Sequence, residues 1–462
     1  MSKSDRSSSR TVFVCQQCGR ESLKWLGRCP ECQQWNTFVE TVVSAPATPS
    51  RPLSTVSPPQ ELSQVSAEAA ERLLLPVNEL NRVLGGGLVT GSTVLISGEP
   101  GIGKSTLLLQ VSALAAPDRS RVVYVSGEEA AHQIKLRSGR LGITGEGLYL
   151  LSETDLEVVL GQLERLSPGL VVVDSIQTVY LPELGAAPGS ISQVRECALR
   201  LMQWAKRAGV PVFITGHVTK DGAIAGPRIL EHVVDVVLYL EGEPFSSYRL
   251  LRSVKNRYGS TNEVGVFEMK ETGLVEVPNP SAAFLSQRSR EAIGSAVVPA
   301  IEGSRTVLVE IQALTNPTSF GLPRRTANGV DFNRLLLIAA VLTRRVGLKL
   351  GNQDIMVNVV GGLKVAEPAA DLGIALAVAS SFRDAGLKPG LAVMGEVGLS
   401  GELRAVSHLE RRIEEAARLG FKHCLVPGTG AKISTAGDST LTRVSTLREA
   451  IAAGLVRRAG AK

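Results

Sequence analysis

The chain has 462 residues, and since domains commonly hold about 100–200 residues, we expect two to four of them. Hydrophobic residues make up 44% and charged residues 20%, which excludes disorder throughout and favours a folded protein. The formal net charge of +6 is compatible with a nucleic-acid partner without requiring one. It is uneven, since residues 286–462 hold 23 Lys and Arg against 15 Asp and Glu, while residues 1–285 hold 27 against 29.

No apolar run reaches about 18 residues, so the sequence predicts no membrane-spanning helix. The N-terminus is Ser-rich and charged, with no hydrophobic signal segment behind it. We therefore expect a cytoplasmic protein, in whose reducing surroundings the six cysteines do not form a disulfide framework.

Four of the cysteines form two CxxC pairs within a compact segment over residues 11–40. Cys15 and Cys18 make the first pair, and Cys29 and Cys32 follow after ten intervening residues. Two such pairs complete a tetrahedron of thiolates, which predicts a zinc finger whose metal supplies the folding energy of a very small unit. With no open coordination position, this zinc would be structural. The alternatives are a redox CxxC or unrelated structural cysteines.

Two tryptophans, Trp25 and Trp35, flank the second cysteine pair. The sequence leaves open whether they belong to the core of the unit or form a contact surface. Outside this region Cys197 and Cys424 are isolated, and we interpret them as ordinary buried residues. Residues 41–65 are rich in Ser, Pro and Thr without a period, which indicates a flexible linker.

Residues 66–285 alternate short Val- and Ile-rich runs with amphipathic stretches. The runs TVLIS, VVYVS, LVVVD and VPVFITG are apolar almost throughout, as expected of central strands in a mostly parallel sheet covered on both faces. Residues 286–462 form a second block of short strands and Ala-rich helices. The sequence thus predicts an α/β protein with two large domains after the zinc finger.

Residues 98–105 match the phosphate-binding pattern G-x-x-x-x-G-K-[ST] in full, between a predicted strand and a predicted helix. The glycines allow backbone N–H groups to converge on phosphates, and the helix N-terminus adds positive potential. Lys104 is expected to reach the β- and γ-phosphates of ATP, and the Ser105 hydroxyl to bind Mg²⁺. The predicted nucleotide-binding residues of this loop are Gly98, Glu99, Pro100, Gly101, Ile102, Gly103, Lys104, Ser105 and Thr106.

Polar side chains end three further predicted strands, at the edge where open α/β sheets bind ligands. Asp174 ends LVVVD and is the expected second ligand on the Mg²⁺ side. Glu128 follows VVYVS, where a carboxylate either activates the attacking water or is an acid favoured at a helix start. His217 ends VPVFITG and either senses the γ-phosphate or is a satisfied strand-end histidine.

The run of motifs resembles the bacterial RadA (Sms) family of recombination and repair proteins, which have a RecA-like P-loop ATPase core. The resemblance covers nearly the whole chain outside the N-terminal tail and the linker. It is carried by the four-cysteine finger, the 98–105 loop, VSGEE, VVVDSIQT, PGSISQVREC, GHVTKDG and the run KNRYG at 255–259. The family signature is KNRFG, and Tyr258 keeps an aromatic residue in place of Phe.

The resemblance implies roles for single residues. Glu128 looks like the catalytic glutamate of RecA-type ATPases, and His217 looks like their strand-end sensor. Lys255 and Arg257 lie in a stretch that resembles the inter-subunit finger of ring helicases. Because the two residues are two positions apart on an extended segment, their side chains point to the same side and would reach a neighbour's γ-phosphate. The alternatives are solvated surface bases or DNA contacts.

Two loops, 181–192 and 218–228, are expected to face the channel of a ring. Lys220 and Arg228 are the candidate phosphate contacts in the second loop, although Lys220 could instead act at the nucleotide site. Neither loop offers an aromatic side chain for base stacking. We therefore expect binding to the DNA backbone without base readout.

Residues 286–462 resemble the proteolytic domain of Lon proteases, through EPAAD at 367–371 and GEVGLSG at 395–401. Lon-type cleavage needs a serine and a lysine, but Ala369 and Glu410 stand at those positions. The resemblance implies an inactive Lon-protease-like α/β domain that serves as an assembly and DNA-binding scaffold. Its candidate DNA contacts are Arg324 and Arg325, which follow Pro323 in a predicted Gly/Pro loop, and Arg344 and Arg345, which end a long apolar helix pattern. For each pair the alternative is a surface base or a base that suits the helix dipole.

These features predict a DNA-dependent ATPase of homologous recombination and DNA repair. As the family implies, it would be a hexameric ring helicase that uses ATP, Mg²⁺ and Zn²⁺. It would act on single-stranded and branched DNA and promote branch migration with the RecA recombinase. The alternative is an ATP-gated DNA-binding scaffold that loads or stabilises a recombinase without unwinding. An ATP-dependent protease is disfavoured by Ala369.

Overall fold

The computed structural model describes residues 9–15, 17–44, 61, 72–117, 121–217, 227–242, 246–285, 288–289, 292–318, 321–428 and 440–456. The chain divides into two compact units. The first comprises Met1–Glu241, Arg249–Thr261 and Phe267–Glu276, and the second comprises Gly242–Tyr248, Asn262–Val266 and Val277–Lys462. The predicted domain limits at residues 40, 65 and 285 stay predictions.

The N-terminal segment forms a three-stranded antiparallel sheet of β1 (Ser9–Cys15), β2 (Glu21–Ser22) and β3 (Phe38–Ser44), in the order β2-β1-β3. Its buried core consists of Cys15, Cys29 and Phe38. So small a core cannot stabilise about thirty residues without further help. A metal ion held by the cysteines would supply that help, since it would cross-link the segment.

The next part of the chain builds a nine-stranded sheet flanked by helices. Its elements are β4 (Arg72–Leu73), α1 (Asn78–Val83), β5 (Leu88–Val89), β6 (Thr93–Gly98), α2 (Lys104–Ala115), β7 (Val122–Ser126), α3 (Ala131–Arg140), β8 (Leu148–Leu151), α4 (Leu156–Leu166), β9 (Leu170–Asp174), α5 (Ile191–Ala208), β10 (Val212–His217), α6 (Pro227–Val233), β11 (Val236–Glu241), β12 (Tyr248–Asn256), β13 (Val264–Lys270) and β14 (Gly273–Glu276).

The strand order is β14-β13-β12-β11-β6-β10-β9-β7-β8, and the short strands β4 and β5 pair separately. The strands from β11 to β8 are parallel to one another, whereas β12 runs antiparallel to β11. Parallel strands end at the same edge, so β6, β7, β9 and β10 deliver their last residues to one place. That edge carries the predicted nucleotide site.

Alternate residues of the central strands face opposite sides of this sheet. In β6, Val94 and Ile96 join one apolar core with α2, while Leu95 joins a second core with α4 and α5. Neighbouring β7 repeats the pattern, with Tyr124 in the first core and Val123 in the second. Because both faces are covered, the strands have no polar side, which confirms the α/β fold predicted from their continuous apolar runs.

The second unit contains a seven-stranded sheet in the order β17-β18-β16-β15-β19-β22-β23. Its elements are α7 (Pro280–Leu285), β15 (Ser295–Glu302), β16 (Arg305–Pro317), β17 (Arg325–Asn328), α8 (Phe332–Val341), β18 (Gln353–Val359), α9 (Asp371–Arg383), β19 (Leu391–Val393), β20 (Glu396–Val397), β21 (Leu403–Arg404), α10 (Leu409–Arg418), β22 (His423–Pro427), β23 (Thr440–Val444) and α11 (Leu447–Gly454). Helix α9 is buried over most of its length and packs against β15 and β16.

Three local expectations differ in the structure. Arg228 lies inside α6 rather than in a loop, because that helix begins at Pro227 and proline suits a first helical turn. Arg325 begins β17 rather than extending a Gly/Pro loop. The long apolar helix ends at Val341 and continues as a π-helical turn over Leu342–Val346. Within the described ranges, no helix combines the length and the apolar character needed to cross a membrane.

Candidate functional site

The four N-terminal cysteines converge on one point. The Sγ atoms of Cys15 and Cys32 lie 3.6 Å apart, those of Cys18 and Cys29 lie 3.5 Å apart, and all four lie within 4.8 Å of one another. Tetrahedral zinc with Zn–S bonds of about 2.3 Å places its sulfurs about 3.8 Å apart. The cluster therefore fits a structural zinc ion.

The phosphate-binding loop leaves β6 at Gly98 and enters α2 at Lys104. Two of its glycines are required, one because a side chain would clash and one because of its backbone conformation. A β-carbon at Gly98 would lie 2.3 Å from the carbonyl oxygen of Leu240, and Gly103 has a φ of +114°. The loop thus has the conformation in which N–H groups at a helix N-terminus can point at phosphates.

Lys104 folds back on this loop. Its ammonium donates to the carbonyl oxygens of Gly98 and Glu99, both at 2.9 Å. Burial lowers the pKa of Lys104 to about 8, and the negative charges of Asp174 and Glu128 oppose that shift. A buried cation facing two carboxylates and weak carbonyl partners is well placed to exchange those carbonyls for phosphate oxygens.

Asp174 is the centre of the hydrogen-bond network. One carboxylate oxygen accepts from the Ser105 hydroxyl at 3.1 Å and from the Thr215 hydroxyl at 2.7 Å. The other accepts from the phenol of Tyr124, whose pKa is raised by its burial and then by the charge of Asp174. Ser105 and Asp174 thus offer adjacent oxygen ligands of the type that Mg²⁺ prefers.

The acidic pair after β7 is divided between two environments. The Glu128 carboxylate accepts from the Ser175 hydroxyl at 2.5 Å, next to Asp174. The Glu129 carboxylate instead pairs with Arg137 of α3 at 2.8 Å. Glu128 therefore faces the loop and Lys104, while Glu129 pairs with the helix that follows it.

Lys255 and Arg257 lie at the opposite end of the parallel strands from the phosphate loop. Lys255 pairs with Val237 near the start of β11, whereas Leu240 of that strand pairs with Gly98 at the phosphate loop. Val237 and Leu240 are three residue steps apart, which separates the two positions by about 10 Å along the strand. The Lys255 ammonium donates to the carbonyl oxygens of Glu231 and Val234, and its pKa is lowered by burial and by the positive charge of Arg257.

Arg257 has a partner at the same edge. Its guanidinium pairs at 3.0 Å with Asp235, which is 1% exposed. Neither finger residue is directed to the phosphate loop of its own chain. Strand β10 ends at His217, whose backbone pairs with Gly98, and Lys220 lies outside the described residues.

Three residues of the site were missed by the sequence analysis: Tyr124, Ser175 and Thr215. Tyr124 and Thr215 stand on β7 and β10, the two strands that flank β9. A hydroxyl within an otherwise apolar central strand is the signal that could have identified both. Ser175 directly follows Asp174 in the chain, and its burial shows that its hydroxyl is directed inward.

The second unit has no serine–lysine pair at the Lon positions. Ala369 is 3% exposed just before α9, and Glu410 is exposed on α10. The neighbouring Glu367 makes a two-bond pair with the fully buried Arg412, at 2.8 and 2.5 Å. This part of the domain is therefore cross-linked by an ion pair.

The four candidate DNA-contact arginines of this unit differ in their surroundings. Arg324 and Arg344 are exposed. The guanidinium of Arg325 donates to the carbonyl oxygens of Gln353 and Leu350, and burial lowers its pKa. The Arg345 Nε donates to the carbonyl of Leu399 at 3.2 Å.

Three family models match successive parts of the chain. Residues 13–40 match a rubredoxin metal binding domain, residues 57–223 match an AAA domain, and residues 313–430 match subunit ChlI of Mg-chelatase. Together with the geometry above, they define a class of protein. It has an N-terminal four-cysteine zinc ribbon, a RecA-like P-loop ATPase core and a ChlI- and Lon-like C-terminal domain. The sequence predicted these three parts, with the last described as Lon-like.

Curated relatives identify the family within this class. The DNA repair protein RadA of Halalkalibacterium halodurans is 56% identical over 422 residues, which cover 90% of this chain and 92% of the relative. The protein of the same name from Bacillus subtilis is 54% identical over 424 residues, or 91% and 93% of the two chains. The one from Synechocystis is 48% identical over 93% of this chain and 91% of the relative. The chain belongs to the family of the DNA repair protein RadA.

Among solved structures, a KaiC-like protein, PH0186, from Pyrococcus horikoshii is 22% identical, with a TM-score of 0.38. The match covers 45% of this chain and 100% of that protein.

Proposed function

We propose that this chain is a DNA-dependent ATPase that works as a ring motor on recombination intermediates. It unwinds or remodels single-stranded and branched DNA in the cytoplasm, beside a RecA recombinase. In this proposal six copies form the ring, and each ATP site is completed by the neighbouring copy. The observation that carries the proposal is the separation of Lys255 and Arg257 from the phosphate loop of their own chain.

The residues around the loop support the chemistry of ATP hydrolysis. The loop N–H groups and Lys104 would hold the phosphates, while the oxygens of Ser105 and Asp174 would hold Mg²⁺. When bound, the ion would neutralise charge on the phosphates. Glu128 takes the proton of the attacking water, and the Ser175 hydroxyl, 2.5 Å away, orients it. His217 senses the γ-phosphate from the end of β10.

The finger residues support a site shared between subunits. Lys255 lies about 10 Å along the sheet from the strand end that carries the phosphate loop, and the side chains of Lys255 and Arg257 are bound to partners near the start of β11. Both are held on the same side by carbonyl oxygens and by Asp235. A fixed pair of cations at a subunit edge is suited to neutralise developing charge on a neighbour's γ-phosphate.

Mixing two inactive variants tests this arrangement. Lys104→Ala removes the lysine of a chain's own loop, and Lys255→Ala removes its contribution to the neighbour. An equimolar mixture should regain about a quarter of wild-type DNA-stimulated ATP hydrolysis, because random assembly places an intact loop beside an intact finger at about one interface in four.

The control mixes Lys104→Ala with the double variant Lys104→Ala/Lys255→Ala. Neither chain then has an intact phosphate loop, so ATP hydrolysis should not be restored. Lys270→Ala removes a half-exposed lysine that pairs with Glu268, and it should retain wild-type turnover. Failure of the equimolar mixture to hydrolyse ATP above the double-variant control would contradict the shared site.

A forked duplex distinguishes the motor from the ATP-gated scaffold. We expect the purified protein to displace the labelled strand with ATP but not with a non-hydrolysable analogue, and Lys104→Ala to abolish displacement. Recombinase loading without any displacement would favour the scaffold.

The C-terminal domain in this proposal is a DNA-binding and assembly scaffold without protease activity. Ala369 has no nucleophilic atom, and Glu410 cannot replace one. Its exposed basic residues, Arg324 and Arg344 with the adjoining Arg345, are the proposed phosphate contacts, and Lys220 and Arg228 serve that role near the ATPase. Arg325 is the weakest of the set, since its guanidinium is already occupied by two backbone carbonyls.

A further inference from the structure

The zinc ribbon presents an apolar surface that the ATP site does not use. We call it the indole patch, and it consists of four side chains with these exposed fractions: Leu23 62%, Trp25 54%, Leu26 36% and Trp35 68%. Neither tryptophan belongs to the core of the ribbon, which forms around Cys15, Cys29 and Phe38. Their exposure excludes the interpretation that they belong to the core and leaves both rings accessible to a partner.

The two indoles are held close together. A β-carbon at Gly27 would lie 3.6 Å from the Trp25 ring and 4.0 Å from the Trp35 ring, so both ring edges meet at that glycine. The Asn36 N–H donates to the Gly27 carbonyl at 2.7 Å, and Arg28 and Trp35 form a β-bridge. Rings fixed by a metal-bound loop lose little conformational entropy when they bind a partner.

Two cations, Lys24 and Arg28, lie beside the rings, within residues 11–40, which hold three basic and three acidic residues. The Arg28 guanidinium lies 5.7 Å from the centre of the Trp35 ring and donates to two oxygens of Gln33. Glu31 is paired with Arg20 at 2.6 Å. Aromatic faces beside a lysine and an arginine suit a polyanion whose flat groups can stack.

We propose that the indole patch binds single-stranded DNA by stacking unpaired bases on Trp25 and Trp35, with Lys24 and Arg28 beside the phosphates. This inference rests on the proposed function only for the choice of polymer, since it requires neither ATP nor a ring. It supplies what the predicted channel loops lack, an aromatic platform for bases. Stacking is tolerant of sequence, because every base has a flat face.

A protein partner fits the patch less well. Tryptophan and arginine also occur at the cores of protein interfaces, but lysine is depleted there, so Lys24 beside the rings favours a polyanion. Single-stranded DNA depends on the rings and the cations and is indifferent to Leu23. This difference defines the control.

Tryptophan fluorescence reads the patch directly. The chain has three tryptophans, and Trp204 is only 4% exposed in the ATPase core. Titration of the zinc-loaded full chain with oligo(dT) should quench the emission of Trp25 and Trp35 and leave that of Trp204. A blunt duplex of the same length, whose bases are already stacked, should quench far less. The Lys104→Ala chain should show the same quenching, which separates this test from the ATPase.

Variants with unchanged zinc content complete the experiment. Trp35→Ala and Trp25→Ala should each weaken oligo(dT) binding by about 5- to 150-fold, the range for one lost base-stacking contact. Trp35→Phe should recover most of the affinity, because a smaller aromatic face remains, and Leu23→Ala should change it little. The absence of quenching, or a loss with Leu23→Ala equal to that with Trp35→Ala, would overturn the proposal.

Discussion

At the scale of single residues, the ATP site is organised by hydroxyl groups around carboxylates. Asp174 accepts from Ser105, Thr215 and Tyr124, and Glu128 accepts from Ser175. These hydroxyl groups fix the carboxylate oxygens beside the phosphate loop. Glu129 instead pairs with the guanidinium of Arg137, so the two adjacent acids differ in these partners and in their expected roles.

The pair of glutamates allows a matched test. Glu128→Gln keeps the size of the side chain and an acceptor for Ser175 but removes the base, so turnover should fall by about 10²- to 10⁴-fold. Binding of a fluorescent ATP analogue should be retained. Glu129→Gln loses only a partly exposed ion pair, worth at most about 1 kcal/mol, and turnover should change by less than about fivefold.

Steady-state hydrolysis and analogue binding, measured on both variants, check this assignment. Equal losses of turnover in the two variants would show that the acidic pair acts as a unit and that Glu128 has no separate role.

At the scale of elements, α10 is fixed to the rest of its domain by one buried guanidinium. Arg412 is fully buried on this helix and donates to the carbonyl oxygens of Pro299 and Ser407 as well as to the Glu367 carboxylate. Glu367 also accepts from the N–H of Ile301 in β15. One guanidinium thus links the helix to the segment before α9 and to the sheet.

Two arginines of α10 form a controlled comparison. Arg412→Ala leaves Glu367 without its charge partner and should destabilise the domain by about 3–5 kcal/mol. Arg418→Ala removes an exposed pair with Glu415 and should cost less than about 1 kcal/mol. Hydrogen exchange of the full chain should show faster opening of peptides from α10 and β15 only in the first variant.

A double variant tests whether the lost stability comes from the unpaired charge of Glu367. Replacing both partners, as Arg412→Met with Glu367→Leu, should recover part of the lost protection, because no buried charge then lacks a partner. Protection equal to wild type in Arg412→Ala alone would mean that the pair contributes nothing to stability.

The elements also show how far sequence reasoning extends. The zinc cysteines, the phosphate loop and the central strands were predictable, because metal coordination, phosphate approach and double-sided burial each restrict the residue types. Tyr124 and Thr215 were not, since a hydroxyl in an apolar strand has no chemical meaning until the strand order is known. Only the order β10-β9-β7 brings both to Asp174. The buried role of Arg412 likewise depends on a contact with residues far away in the chain.

At the scale of the whole molecule, the charge distribution separates the expected tasks. The first 285 residues are close to neutral in balance, while residues 286–462 carry the basic excess. A DNA backbone attracted by that excess should release counterions in proportion to the number of phosphate contacts. The indole patch would instead contribute base stacking, which depends only weakly on salt. The two contributions can therefore be distinguished in one titration series.

The final prediction concerns the salt dependence of DNA binding. Arg344→Glu with Arg345→Glu should weaken binding to single-stranded DNA and reduce the slope of log affinity against log salt by about 1.4, or about 0.7 for each lost phosphate contact. Arg383→Glu, a reversal at an exposed arginine that ends α9, is the matched control and should leave the slope unchanged. Fluorescence anisotropy from low to physiological salt measures the affinity and the slope for both variants.

Trp35→Ala should lower the affinity at every salt concentration and leave the slope as it is. A slope reduced equally by Arg383→Glu would mean that net charge, rather than the exposed arginines after α8, determines DNA binding by this half of the chain.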